Sequence, residues 1–150
     1  MKDQPDTAVE LRARALRLLA RREHSRAELE RKLGPHAGSA EVIAGVVEAL
    51  VQKKQLSDER YAEERARTLS RKYGAARIRQ DLKARGVDPE LVSRVSAEGE
   101  LERARGILER KYRQPAVTRE ERAKRMRFLQ GRGFSSDVVV ALLRGKDNSI

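Results

Sequence analysis

The chain has 150 residues, of which 38% are charged, 39% hydrophobic and only 3% aromatic, a composition that excludes one thick core and suits thin helical layers or an array of small units. Lys and Arg number 34 against 23 Asp and Glu, and the net charge of +11 indicates a polyanionic partner without identifying it. There is no cysteine for disulfides or thiolate metal sites, no apolar run that could span a membrane and no secretory signal, so we predict a soluble, cytoplasmic protein.

Helix-capping signals divide the chain into nine helices, and strand signals are nearly absent. Ser25-x-x-Glu28 and Thr118-x-x-Glu121 have the pattern of capping boxes, and Asp88-Pro89 places a capping Asp before a Pro at the first helical position. The predicted helices, in chain order, span 8–23, 25–33, 39–54, 58–73, 75–85, 88–97, 98–113, 118–132 and 135–144.

The nine helices form three similar units, because apolar positions recur at fixed offsets. Leu33, Leu82 and Leu129 occupy matching positions, and Arg85-Gly86-Val87 matches Arg132-Gly133-Phe134. We therefore predict an all-α protein in which three tandem three-helix repeats stack into an elongated, curved, solenoid-like array. The predicted segments are a flexible leader at 1–7, repeats at 8–56, 57–97 and 98–145, and a tail at 146–150.

No pattern in the chain indicates catalysis. Glycine-rich phosphate loops and the GxSxG nucleophile motif are missing. His24 precedes the predicted cap Ser25 and is expected at a helix end, either cationic or packed against the next turn, whereas His36 is expected in a solvated loop. The two histidines have no carboxylate at metal-ligand spacing. We predict that the protein is not an enzyme and has no catalytic residue, metal site, cofactor or small-molecule substrate.

Positive charge accumulates toward the C-terminal two thirds of the chain. The net charge is +2 over residues 1–58, +4 over 59–97 and +5 over 98–150. With so few aromatic residues, we expect contacts to nucleic acid to be made mainly to phosphates, to be salt-sensitive and to have little sequence specificity. The side chains that we predict to face a protein partner or DNA phosphates are Arg71, Lys72, Arg77, Arg79, Lys83, Arg85, Arg122, Lys124, Arg125, Arg127 and Arg132.

The last two helices of each unit also have the pattern of a helix-turn-helix. However, the helix predicted at 135–144 carries Val138, Val139 and Val140, which leave few polar groups for base edges. Sequence-specific control of transcription is therefore disfavoured.

Four segments of the chain, spread over residues 8–144, resemble the RecX family of bacterial recombination regulators. They are Arg22-Glu23-His24-Ser25 with Glu28-Leu29 and Lys32-Leu33; Leu56-Ser57-Asp58-Glu59-Arg60-Tyr61-Ala62; Gly74 with Ile78, Leu82 and Gly86-Val87; and Arg127-Phe128-Leu129-Gln130-Gly131-Arg132-Gly133-Phe134-Ser135. The segments occur in the order of the family.

The resemblance implies an all-helical regulator that binds the RecA recombinase in the helical groove of its filament on single-stranded DNA. It implies inhibition of RecA ATP hydrolysis, strand exchange and the co-protease activity that triggers the SOS response. DNA would be contacted directly or through the filament, no membrane would be involved, and we expect a monomer. Two alternatives stay open: a general nucleic-acid-binding or nucleoid-associated helical module, and an adaptor for an unrelated acidic protein.

Overall fold

The structure is a computed structural model that describes residues 4–144. Over that range the chain is all-α, with nine α-helices, one short 3-10 turn at Gly34–His36 and no strand. Residues 1–3 of the predicted leader, residue 145 and the predicted tail lie outside the described residues. The helices are α1 Ala8–Arg21, α2 Arg26–Leu33, α3 Ala40–Gln52, α4 Asp58–Leu69, α5 Ala75–Ala84, α6 Pro89–Ser93, α7 Glu100–Lys111, α8 Arg119–Gly131 and α9 Ser136–Arg144.

The capping signals explain where most of these helices begin. Thr118 and Glu121 form the predicted capping box at the start of α8. Ser25 caps α2 by accepting a hydrogen bond from the Glu28 N–H at 3.0 Å, but the box predicted there is incomplete because the Glu28 carboxylate binds Arg22 instead. A further box, formed by Thr7 and Glu10 at the start of α1, was not predicted.

Helix α6 departs most from the prediction, since it has five residues and ends at Ser93, not at 97. Beyond it the Val95 carbonyl accepts a hydrogen bond of 2.6 Å from Arg79 Nη2, and the Ser96 hydroxyl accepts one from the Glu98 N–H. These side-chain bonds offer the backbone an alternative to the helix. The chain therefore leaves the helix early.

The described chain divides into two compact units. The first unit comprises residues 4–65 and 82–92, and the second comprises 66–81 and 93–144, so that the second predicted repeat contributes to both. The first unit has a core made by α1, α2 and α3, and the second has a core made by α7, α8 and α9. The buried residues of the first core are Leu11, Ala15, Leu29, Leu33, Val46, Val47, Leu50 and Leu56. Those of the second are Ala104, Ile107, Leu129, Phe134, Val139, Leu142 and Leu143.

The leucines of one matched column of the predicted repeat are buried. Leu33, Leu82 and Leu129 are all fully buried, and the apolar residues after the two matching glycines, Val87 and Phe134, are buried as well. These positions are structural, because the burial of a leucine stabilises the folded state by roughly 2 kcal/mol or more.

The first unit contains a joint that we call the first junction, made by Arg26, Ala27, Asp58 and Gly86. The Arg26 N–H at the start of α2 donates a 2.6 Å hydrogen bond to Asp58 Oδ1, at the start of α4. Gly86 has a φ of +80° and lies against Ala27, so that a Cβ at Gly86 would be 2.8 Å from the Ala27 Cβ. A side chain at this glycine is therefore disfavoured by both conformation and space.

The second unit contains a matching joint, the second junction, made by Gly74, Ala75, Arg77, Glu100 and Gly133. The Ala75 N–H at the start of α5 donates a 2.6 Å hydrogen bond to the buried carboxylate of Glu100, at the start of α7. The Gly74 N–H donates to the Arg132 carbonyl at 2.8 Å. Gly133 has a φ of +90°, and a Cβ there would be 2.6 Å from the Arg77 nitrogen.

A polar network with a buried carboxylate and a buried imidazole lies beside the first junction. Arg22 donates two hydrogen bonds to Glu28, of 2.7 and 3.0 Å, and this pairing lowers the pKa of Glu28 from 4.5 to about 2. His24 is almost completely buried, with Nδ1 3.0 Å from the Arg22 carbonyl and Nε2 3.0 Å from Lys32 Nζ. Burial lowers the pKa of His24, so the residue is packed and neutral at pH 7.

The leader is tied to the first unit where it is described. The Asp6 N–H donates to the His36 carbonyl at 2.8 Å, and Arg14 Nε donates to the Asp6 carboxylate at 2.9 Å. Among residues 4–144, none of the helices combines the length and the apolar character that crossing a membrane requires.

Candidate nucleic-acid interface

The most distinctive surface of the second unit is a series of aromatic rings with cations over their faces. The Arg77 guanidinium lies 4.8 Å from the centre of the Tyr73 ring, and Arg132 lies 5.3 Å from the same ring and 5.1 Å from that of Phe128. Lys111 Nζ lies 4.8 Å from the Phe128 ring. We call these residues, together with Tyr112 and Arg125, the cation–ring ladder.

The far end of the cation–ring ladder is formed by Tyr112 and Arg125. The Tyr112 ring meets the Phe128 ring edge to face, at 6.0 Å and an interplanar angle of 85°, and the Arg125 guanidinium lies 4.4 Å from the Tyr112 ring centre. Cations over aromatic faces are attracted by the ring quadrupole and lose rotamer freedom. The ladder therefore holds its cations at fixed positions on the surface.

A pocket of about 420 Å³ opens beside the ladder, which we call the junction pocket. Ile107, Tyr73 and Phe128 line it together with five cations, and none of the described residues that line it is acidic. The five cations are Arg71, Lys72, Arg110, Lys111 and Arg132.

Backbone contacts fix the position of the junction pocket within the second unit. Arg77 Nη1 donates to the Gly131 carbonyl at 2.8 Å, and Arg132 Nη1 and Arg110 Nη2 approach the Lys72 and Arg71 carbonyls at 3.5 Å. The helix that carries Arg125 and precedes Arg132, α8, begins at a capping box. Its N-terminal Glu121 accepts N–H bonds from Val117 and Thr118, which lower the pKa of that carboxylate.

The structure brings together some of the predicted site residues and separates others. Arg71, Lys72 and Arg132 line the junction pocket, and Arg77 and Arg125 belong to the cation–ring ladder. Three further predicted residues of α8, namely Arg122, Lys124 and Arg127, lie outside the junction pocket. Arg79 is half-buried and donates to the Val95 carbonyl. Lys83 and Arg85 belong to the first unit.

Arg110 and Lys111 were missed as site residues, and so were the rings that hold the cations. A sequence signal for them existed, since the triplet Arg-Lys-Tyr occurs twice, at residues 71–73 and at residues 110–112. The first copy follows α4, the first helix of the second predicted repeat. The second copy overlaps the end of α7, the first helix of the third predicted repeat. Charge density alone did not reveal this triplet, because Glu109 immediately before the second copy lowers the local net positive charge.

Comparison with known proteins gives three family matches in chain order. Residues 12–50 match the first three-helix domain of RecX, residues 57–95 the second and residues 98–143 the third. The chain belongs to the RecX family. Similarity to individual members extends over nearly the whole chain, and the fold agrees with a solved member.

Two relatives are named regulatory protein RecX. The one from Ralstonia nicotianae is 40% identical over 95% of this chain and 92% of its own length, and the one from Leptothrix cholodnii is 44% identical over 92% and 90%. The crystal structure of RecX from Lactobacillus salivarius superposes with a TM-score of 0.82, covering 93% of this chain and 96% of that one at 21% identity. The RecX family is thus a family of regulatory proteins, and its all-α fold is shared by this chain.

Proposed function

We propose that this protein regulates the RecA recombinase without catalysis of its own, by binding in the helical groove of the RecA filament on single-stranded DNA. Its main effect would be to inhibit RecA ATP hydrolysis, strand exchange and the co-protease activity of the SOS response. Membership of the RecX family over nearly the whole chain carries this proposal. We further propose that it acts in the cytoplasm as a monomer built of three repeats.

The cation–ring ladder and the junction pocket support the polyanion-binding part of this proposal. A groove formed by protein and single-stranded DNA presents acidic side chains and phosphates, and fixed cations recognise both. The proposed contact residues are those predicted from charge, with Arg125 and Arg132 as the members that the ladder positions most clearly. Lys83 and Arg85 would contribute from the first unit.

The second candidate, a general nucleic-acid-binding module, is favoured by the junction pocket, because none of the described residues that line it is acidic. It differs from the first in needing no protein partner. The comparison of bare DNA with the filament therefore separates the two functions.

The test is a titration of the protein into RecA assembled on single-stranded DNA, with ATP hydrolysis as the measured activity. Binding to bare DNA is measured in the same salt. We expect inhibition at protein concentrations well below those that bind bare DNA. Tight, salt-dependent binding to bare DNA without inhibition of hydrolysis would contradict the proposal and support the general module.

A further inference from the structure

We infer that the junction pocket is a phosphate-binding site that holds two or more neighbouring phosphate groups, with Tyr73 and Phe128 as positioning residues for its cations. The source of the phosphates is the DNA strand of the filament if the proposed function holds, on which this assignment rests. A free polyphosphate or nucleoside triphosphate presents the same chemistry, and the experiment below distinguishes these sources.

The charge in the junction pocket suits more than one anionic group. Five cations line it, and none of the described residues that line it carries a negative charge. A single carboxylate would leave most of these cations without a partner, whereas consecutive phosphates supply several charges within a short distance. The forked donors of Arg71, Arg110 and Arg132 also match pairs of phosphate oxygens.

The two Arg-Lys-Tyr triplets explain how so many cations reach one place. Residues 71–73 follow α4 and residues 110–112 end α7, and each triplet contributes its Arg and its Lys to the junction pocket. Arg132, from the residue after α8, completes the set. Each triplet thus supplies one forked and one compact cation, which is an arrangement suited to two adjacent phosphates.

The rings of the pocket hold cations and are poorly placed to stack on bases. The guanidinium groups of Arg77 and Arg132 both lie over the Tyr73 ring. The Lys111 ammonium and the Arg132 guanidinium both lie over the Phe128 ring. Because cations already lie over both rings, the site can recognise phosphates without a preference for base identity. We therefore expect equal affinity for oligothymidylate and oligoadenylate of the same length.

The first unit offers a useful contrast. A concavity of similar size, about 390 Å³, is lined by Arg26, Lys54 and Arg60, but Asp58 lies among these cations. The Arg26 guanidinium donates to the Glu30 carboxylate at 3.0 Å, and the Arg60 guanidinium donates to the Glu23 carboxylate at 3.0 Å. Built-in carboxylates therefore compete for the cations there, and the phosphate site is assigned to the second unit.

The experiment measures binding of a fluorescent 15-nucleotide oligothymidylate by anisotropy over a range of salt concentrations, without RecA. The test variant is Arg110→Gln with Lys111→Gln, and the matched control is Arg31→Gln with Lys53→Gln, which removes the same charge from exposed positions of the first unit. For the test variant we expect an affinity at least tenfold lower and a log K against log salt slope smaller by about 1.4. The control should change the affinity less than threefold.

Competition separates the possible ligands. A phosphate site is supported if tripolyphosphate or ATP displaces the oligonucleotide and polyglutamate of equal charge does not. Tighter binding of ATP than of the oligonucleotide would identify the free nucleotide as the ligand. Equal losses in the test and control variants, or equal displacement by polyglutamate, would overturn the assignment. Far-UV circular dichroism checks that both variants are folded.

The positioning role of Tyr73 has its own control. Tyr73→Leu leaves all five cations in place and should weaken oligonucleotide binding severalfold, while Tyr73→Phe keeps the ring and should restore it. Equal affinities of the Leu and Phe variants would overturn this role. Because these assays contain no RecA, they fail or succeed separately from the proposed function: a wild-type protein that binds phosphate but does not inhibit RecA would contradict only the latter.

Discussion

In each compact unit, a glycine with positive φ packs against the start of a middle helix, and the first N–H of that helix donates to a carboxylate from the next repeat. Gly86 and Asp58 take these roles in the first junction, and Gly133 and Glu100 take them in the second. The two N–H to carboxylate distances are both 2.6 Å. One backbone joint is thus used twice.

The side chains around the two joints differ in how their cations are held. Near the first junction, Arg22 binds the buried carboxylate of Glu28, and Arg60 binds Glu23. Near the second junction, Arg77 and Arg132 lie over aromatic rings. A cation paired with a carboxylate adds little to the surface potential, whereas a cation over a neutral ring keeps its full charge. The same joint is thus bordered by carboxylate-paired cations in the first unit and by cations over rings in the second, and it is the second for which we propose recognition of a polyanion.

The largest expected effect tests whether both units depend on the same leucine column. Leu33→Ala in the first unit and Leu129→Ala in the second should each lower the free energy of unfolding by roughly 2–5 kcal/mol, because both side chains are fully buried. Urea denaturation measures this loss. Val117→Ala, at a side chain that is 79% exposed, is the control and should change stability little. A loss below about 1 kcal/mol at either leucine would contradict the matched repeat.

The next effect is a pH dependence of the free energy of unfolding, which should distinguish the first unit from the second. The unfolded chain protonates Glu28 near 4.5, whereas the folded protein keeps it ionised down to about 2. The stability that this pair contributes is therefore present above pH 4.5 and is lost as the pH falls toward 2. We expect a loss of about 2–3 kcal/mol, which is less than the full pKa shift implies because solvent partly screens the half-exposed Arg22. The lowered pKa of His24 adds an earlier loss that begins as the pH falls below 6.5.

Urea midpoints measured from pH 7 to pH 2 test this pH dependence. Glu28→Gln should be less stable than the wild type at pH 7, and its stability should fall less between pH 4.5 and 2. Parallel pH profiles for the two proteins would show that the pair with Arg22 does not stabilise the first unit.

A smaller set of effects compares the two glycines. Gly133→Ala should cost about 2 kcal/mol, since a Cβ would meet the backbone of Arg77 and the φ of +90° is strained for alanine. Gly86→Ala should cost less, because its Cβ would meet only the Ala27 methyl group. Gly131→Ala, which meets nothing within 4 Å at the end of α8, should instead stabilise the protein by about 0.5–1 kcal/mol. Thermal melts of the three variants would contradict the junction geometry if all three changed alike.

The helices and the buried leucine column could be predicted from sequence because both depend on local signals. Caps such as Thr118 and periodic positions such as Leu82 are determined within a few neighbouring residues. The length of α6 could not be predicted, since it depends on Arg79 binding a carbonyl sixteen residues away. The capping box predicted at Ser25 is incomplete for a similar reason, because the Glu28 carboxylate binds the Arg22 guanidinium instead.

The positive charge of the candidate site could be predicted from the sequence, but not which side chains meet there. Clusters of Arg and Lys are visible in the sequence, and several of them do meet in the second unit. Tyr73 and Arg77 lie four residues apart, as do Phe128 and Arg132. The contacts of Arg132 with Tyr73 and of Lys111 with Phe128 join distant parts of the chain, so only the fold shows that the rings share cations. Counting charge without aromatic neighbours therefore missed Lys111.

The most direct test of this account compares charge reversals in the two units. Arg125→Glu with Arg132→Glu changes two cations of the ladder, and Arg31→Glu with Lys53→Glu changes two exposed cations of the first unit. Inhibition of RecA ATP hydrolysis on single-stranded DNA is measured for both variants, with circular dichroism as the check of helicity. We predict that the first variant loses most of its inhibition while the second retains it. Undiminished inhibition by the Arg125→Glu, Arg132→Glu protein would contradict the account.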